Sequence, residues 1–257
     1  MHPRKPESVR AVKKPMTARD HYDNHLAHFY SWMLGDFKER QEIQLDFFNR
    51  NHIMPGISNV AVDLGAGNGL QTISLAKLGF TVVAVDFNKQ LLDELSARKQ
   101  ELPIGIVFDD VTNFINTYDE VASAIVCMGD TITHLESLSQ VEHLLEKISD
   151  HLEPAGKVVI SFRELIREMK NEERFIPVRS DETRILTCFL EYFPSYVMVH
   201  DILHEWQSGK WIQKVSCYPK LRLSESVVTN ALERHNIKML SAERISGMLY
   251  MVGQKIS

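Results

Sequence analysis

Between Val60 and Phe162, short apolar runs rich in β-branched residues alternate with segments of helical period, and this alternation leaves few folds open. The runs are Val60–Leu64, Thr81–Asp86, Ile104–Phe108, Ala124–Met128 and Lys157–Phe162, with helices centred on Ala76, Leu92, Phe114 and Leu144 between them. A strand covered on both faces reads as a continuous apolar run, and strands joined through helices pair in parallel. The expected core is a doubly wound α/β sheet, whose ligands bind beyond the carboxyl ends of the strands.

The flanks follow other periods. Tyr22, Leu26, Phe29, Tyr30 and Met33, then Ile43, Leu45, Phe47 and Phe48, recur at helical spacing and predict two helices parted by Gly35-Asp36. After Glu182, Thr187–Phe193, Tyr196–Trp206 and Trp211–Tyr218 predict three antiparallel strands turning at Pro194-Ser195 and Ser208-Gly209. A helix over Glu225–His235 and strands near Lys238–Arg244 and Leu249–Gln254 complete a mostly parallel, seven-stranded sheet. The chain therefore divides into a basic head (1–17) expected to be disordered, a helical lid (18–54), an α/β core (55–182), an antiparallel insertion over the ligand crevice (183–223), and a C-terminal helix with the last two strands (224–257).

Composition narrows the classes. The net charge of -5 argues against a polyanion binder, so nucleic acid is not the expected partner. No apolar run nears the roughly 20 residues of a membrane helix, and the stretch MHPRKPESVRAVKKP lacks the apolar segment of a secretory signal. Cys127, Cys188 and Cys217 are too few and too scattered for a disulfide framework or a zinc site. The expected location is the cytoplasm, with no metal.

The most informative motif ends the first run: Val60-Ala61-Val62-Asp63-Leu64-Gly65-Ala66-Gly67-Asn68-Gly69. Glycines let a backbone approach a ligand closely. A dinucleotide fingerprint would require glycine where Leu70 stands, and a P-loop would need a following Lys-Ser or Lys-Thr pair. Asp63 before the first glycine suits a ligand end bearing an ammonium better than a pyrophosphate. Asp86 ends the second run, where acidic residues of doubly wound folds take a ribose diol, and Phe87 beside it offers a face for adenine. Asp109-Asp110-Val111 follows the third run, and Cys127-Met128-Gly129-Asp130 ends and follows the fourth.

Taken in order, these elements resemble the class I S-adenosylmethionine-dependent methyltransferases over roughly residues 58–164. The resemblance implies that Asp63, Gly65, Ala66 and Gly67 contact the methionine half of S-adenosylmethionine and Asp86 its ribose. It further implies that Phe87 and Val111 sandwich adenine, Asp110 (with Asp109 beside it) bonds the adenine amine, and Met128, next to Cys127, lies near the sulfonium. S-adenosylhomocysteine would be the product. The N/D-P-P-Y/F segment of nucleic-acid amino-methyltransferases is missing at Met128-Gly129-Asp130-Thr131, and Cys127 follows valine rather than the proline of the cytosine C5 enzymes.

Met128-Gly129-Asp130-Thr131-Ile132-Thr133-His134-Leu135 instead resembles the G-N-S-x-x-H-L segment of the glycine and sarcosine N-methyltransferase group, with aspartate replacing its asparagine. Arg163 stands where that group places an arginine for the substrate carboxylate. The expected acceptor is a small molecule, most simply an amine, with Asp130 and His134 as candidate catalytic residues. Tyr22, Tyr30, Arg163, Tyr192 and His200 are candidates for the acceptor pocket. Methylation at oxygen, methylation of RNA or protein through the basic head, and a nucleoside-binding regulator without activity remain open at this stage, as does the oligomeric state.

Overall fold

A computed structural model of the chain describes residues 16–256, so of the head expected over 1–17 only Met16 and Thr17 lie within the described residues. Thr17 caps α1 (Ala18–Asn24) by accepting the Asp20 backbone N–H, and α2 (Tyr30–Leu34) and α3 (Phe37–Arg50) follow. The apolar stripe read as one helix before Gly35 thus breaks into two, because a short 3-10 turn over Leu26–His28 swings the chain round. The break buries Leu26 and Phe29 against Leu186 and Leu203.

The five apolar runs form β1 (Val60–Leu64), β2 (Thr81–Asp86), β3 (Ile104–Phe108), β4 (Ala122–Cys127) and β5 (Leu152–Phe162). They are joined by α4 (Leu70–Lys77), α5 (Lys89–Lys99), α6 (Val111–Thr117) and α7 (Leu138–His151). A second group of strands follows: β6 (Phe175–Ser180), β7 (Arg184–Tyr192), β8 (Tyr196–Gln207) and β9 (Lys210–Leu221). The chain ends with α8 (Glu225–Arg234), β10 (Ile237–Ile245) and β11 (Met248–Lys255).

The main sheet has seven strands in the order β10-β11-β5-β4-β1-β2-β3. Strands β1 to β5 pair in parallel, and β11 inserts antiparallel between β5 and β10. Both faces are covered. Val62 and Ile125 pack with the α7 stripe Val141, Leu144, Leu145 and Ile148, while Ala61 and Val126 pack with Phe47, Phe48 and Leu75. Each large aliphatic or aromatic side chain so buried contributes about 1.5–3 kcal/mol. The strand order reverses between β1 and β4, so the loops after them part and leave a crevice at their carboxyl ends.

Strands β6 to β9 form a separate antiparallel sheet. Its first strand is not evident in the sequence pattern, since Pro177 cannot donate a ladder hydrogen bond. Proline is tolerated on an edge strand, and the register shifts between Pro177 and Arg179. Ser208 and Gly209 make the β8–β9 turn with φ of 49° and 78°. Helix α1 lies against this sheet: His21 bonds Ser216 through Nδ1 at 2.7 Å and Asp201 through Nε2 at 3.0 Å.

Candidate active site

The crevice is a cavity of about 1450 Å³ enclosed by the main-sheet loops, α1 to α3, the antiparallel sheet and the β10–β11 turn. Single-ligand pockets usually occupy ~300–1000 Å³. There is room for two ligands.

One end is built by the loop after β1. Gly65 has φ of +83°, and a Cβ there would sit 2.3 Å from Thr131 Oγ1, so the residue must be glycine. The Gly67 N–H donates to Asp86 Oδ2 at 2.8 Å and the Asn88 N–H to Asp86 Oδ1 at 2.7 Å. A carboxylate at the end of β2 therefore fixes the loop after β1. Burial pushes the Asp86 carboxyl up to about 6, so it is ionised at neutral pH and loses its charge in mild acid. Gly65, Ala66, Gly67, Asp86, Phe87, Asp110, Val111 and Met128 all line the cavity.

Asp63, Asp109 and Cys127, by contrast, stand outside its wall. Asp63 lies beneath the loop, where its Oδ2 accepts the Thr72 hydroxyl at 2.6 Å and burial pushes its carboxyl up to about 7. It ties β1 to α4. Asp109 turns back to accept the Asp110 N–H at 2.7 Å. Cys127 is fully buried within the main core, where burial pushes its thiol up to about 12. Asp110 lines the wall but caps α6, accepting the Thr112 N–H at 2.9 Å, with Arg19 3.9 Å from its other oxygen. The Arg19 guanidinium lies 5.0 Å over the Phe87 ring and the Tyr22 ring meets it edge-on at 5.6 Å, so α1 packs against Phe87.

The other end is organised around Asp130, which is buried and left-handed at φ 77°. Its Oδ1 accepts the Arg163 backbone N–H at 2.7 Å; its Oδ2 takes the Arg163 guanidinium together with Lys220 Nζ at 2.8 Å. Burial alone would raise this carboxyl, but Lys220 and Arg163 hold it well below the ordinary carboxylate range. Asp130 is consequently a fixed anion and cannot serve as a general base near neutral pH.

His134 stands between Tyr22 and Tyr218, at 5.7 and 5.5 Å between ring centroids. Both its ring nitrogens are buried without a hydrogen-bond partner among the described residues. Burial, reinforced by Lys220, pushes it down to about 3, so the ring is neutral at any physiological pH. Tyr22, Tyr30 and Arg163 line the same space.

Two expected acceptor contacts are elsewhere. Tyr192 packs in a small cluster with Leu165 and Leu190 under Arg222. His200 faces Glu191 at 3.2 Å, while its neighbour Asp201 faces the cavity, as alternation along a strand requires. Sequence reasoning missed Lys220, Tyr218, Gln44 and Tyr250. All four lie far from the motifs in sequence, and only the β8–β9 hairpin, the α3 packing and the β11 pairing bring them in.

No helix among the described residues is long and apolar enough to cross a membrane. Residues 61–156 match the family described as "Methyltransferase domain". Among curated relatives, the cypemycin N-terminal methyltransferase of a Streptomyces species is 30% identical over 95 residues, covering 37% of this chain and 38% of that protein. The glycine/sarcosine N-methyltransferase of Aphanothece halophytica is 26% identical over 159 residues, 59% of each chain. The chain thus spans well under two thirds of the length of either. An S-adenosylmethionine-dependent methyltransferase of Clostridium acetobutylicum superposes with a TM-score of 0.72 at 15% identity, covering 91% of this chain and 99% of that one. Sheet order, loop chemistry and the matched segment agree: residues 61–156 match the methyltransferase-domain family, and the chain has the fold of the class I S-adenosylmethionine-dependent methyltransferases.

Proposed function

We propose that the protein transfers a methyl group from S-adenosylmethionine to the nitrogen of a small-molecule amine. The observation that carries this reading is a single cavity with two chemically distinct ends. At one, the glycine loop lets a ligand come close to the backbone beside Asp86, whose carboxylate suits a ribose. At the other, aromatic rings, a neutral histidine and a cation pair surround space for an acceptor. A Cβ at Gly67 would meet nothing closer than Tyr30 at 3.8 Å, so the loop presents open space toward the cavity. The names of the two curated relatives, an N-terminal methyltransferase and a glycine/sarcosine N-methyltransferase, favour nitrogen over oxygen.

The donor supplies an electrophilic methyl group on a sulfonium, so the protein has to align and dehydrate and need not activate. Nitrogen's lone pair forms the new C–N bond as the C–S bond breaks and its electrons remain on sulfur. An amine attacks only when deprotonated. His134, neutral and with unpaired nitrogens, can accept an N–H and orient the lone pair, but it holds a proton too weakly to act as a strong base. Tyr22, Tyr30 and α1 close the space against water. The acceptor carries a carboxylate in this reading, because Arg163 and Lys220 share one carboxylate oxygen and the trio retains a net positive charge.

Two tests follow. Asp86→Ala should weaken S-adenosylhomocysteine binding by about 1.5–3 kcal/mol, the range for hydrogen bonds to charged groups. Wild-type affinity should also fall as the pH drops through about 6, since the carboxylate that accepts the ribose hydroxyls then protonates. Calorimetry giving equal affinity in a folded variant, with no pH dependence, would remove Asp86 from the donor site. Arg163→Lys keeps the charge but loses the planar fork. It should raise KM for a carboxylate-bearing amine with donor affinity constant, and unchanged kinetics would point to an uncharged amine or a hydroxylated acceptor.

A further inference from the structure

The cavity does not stop at Asp130. It continues past Met128 into an arm between α3 and the β10–β11 turn, lined by Arg40, Ile43, Gln44 and Phe47 on one side and Ile245, Met248 and Tyr250 on the other. The α3 residues stand at positions i, i+3, i+4 and i+7, one face of a helix. Phe47 and Tyr250 rings lie 5.0 Å apart and form the floor. Ile43 is an apolar side chain 58% exposed at the mouth.

Two polar groups point into this arm with capacity unused. Gln44 is only 6% exposed, yet among the described residues its amide makes one weak hydrogen bond, Nε2 to Met128 Sδ at 3.9 Å. A buried amide held by so weak a contact gains from a ligand that offers it a full hydrogen bond. The Tyr250 hydroxyl likewise has no hydrogen-bond partner among the described residues. Tyr250 pairs with Ser161, whose hydroxyl accepts the Gly129 N–H at 2.9 Å, so the ring starts at the reaction end. Burial raises its phenol, and the Arg163 and Arg40 cations offset part of that rise.

From this geometry we infer that the acceptor is an elongated amine whose apolar, aryl-like body lies in the α3/β10–β11 arm, with Gln44 and Tyr250 positioning it and Ile43 covering its outer edge. The inference rests on the methyl-transfer reading and deepens it. An amino acid of glycine size would leave the arm empty and Gln44 unpaired.

The test uses three analogues of S-adenosylhomocysteine in which nitrogen replaces sulfur, carrying a methyl, a 3-phenylpropyl or a glycylglycyl group. The N-methyl compound reports the donor site by itself. The phenylpropyl compound should bind about tenfold or more tightly than it, because an aromatic ring buries 150–250 Å² and each tenfold is 1.4 kcal/mol. Ile43→Asp, at an exposed position where folding is not at risk, should remove most of that gain, as should Tyr250→Ala. No gain from the phenyl arm, or a gain that both variants retain, overturns the inference. A glycylglycyl compound that binds more tightly than the phenylpropyl one overturns it in favour of a peptide occupant. Failure of the N-methyl compound to bind at all removes the methyl-transfer reading, and the arm with it.

Discussion

Asp130→Ala is expected to lower the unfolding free energy by about 3 kcal/mol, toward the low end of what breaking a buried ion pair costs. The substitution strands Lys220, whose side chain is 9% exposed, while Arg163, 53% exposed, can turn toward water. It also leaves the Arg163 backbone N–H without its acceptor. Asp130→Asn should cost less, since the amide oxygen still accepts that N–H, although two cations then face each other without an anion. Urea denaturation of the three proteins decides the matter. An alanine variant within about 0.5 kcal/mol of wild type, the ordinary scatter of surface substitutions, would mean that the trio does not form in solution. Turnover should fall along with stability, because the same carboxylate fixes the guanidinium proposed to face the acceptor.

Gly67→Val is expected to abolish donor binding, with a loss of about 100-fold or more, and to leave the sheet intact. At φ of +53° an L-residue costs roughly 1–2 kcal/mol, and a β-branched one is the worst choice. The new Cβ clears its nearest neighbour, the Tyr30 ring, at 3.8 Å, so the fold accommodates it. Its methyl groups then fill the space the loop presents to a ligand. The checks are calorimetry with S-adenosylhomocysteine and a circular dichroism melt. A folded variant with normal affinity would show that this loop does not touch the donor.

How far the sequence reveals this molecule depends on whether the signal is local. Strands β1 to β5 are buried on both faces, so their β-branched runs are plain to read, and the glycines after β1 announce a loop that must approach something closely. The bend at Leu26–His28 is not readable, because tertiary burial of Leu26 and Phe29 breaks a stripe whose spacing alone continues as helix. Strand β6 is hidden by Pro177 and by its exposed face. At the site, Asp86 could be placed by its distance from Gly65, and Asp63 could be seen but not aimed: its neighbours in sequence do not reveal that Thr72 takes its carboxylate. Asp130 looks like a catalytic acid or base when read beside His134. Its partner Lys220 lies 90 residues away at the end of β9, and that cation turns a candidate base into a permanent anion. His200 shows the limit of alternation, which says that it shares a face with His204 but not which face meets the cavity.

The grip of His21 on the antiparallel sheet has a consequence for the order in which the chain assembles. Its partners Asp201 and Ser216 are 180 and 195 residues away, whereas β1 to β5 find their neighbours through short helical crossovers. Contacts of such sequence separation close the largest loops and come late in folding. The parallel sheet can therefore form first and the β6–β9 sheet after it. Helix α1, the earliest described element to be synthesised, is among the last to dock. Until it does, Phe87 lacks the cover of Arg19 and Tyr22, so a nascent or partly unfolded chain has a donor cleft without part of its wall.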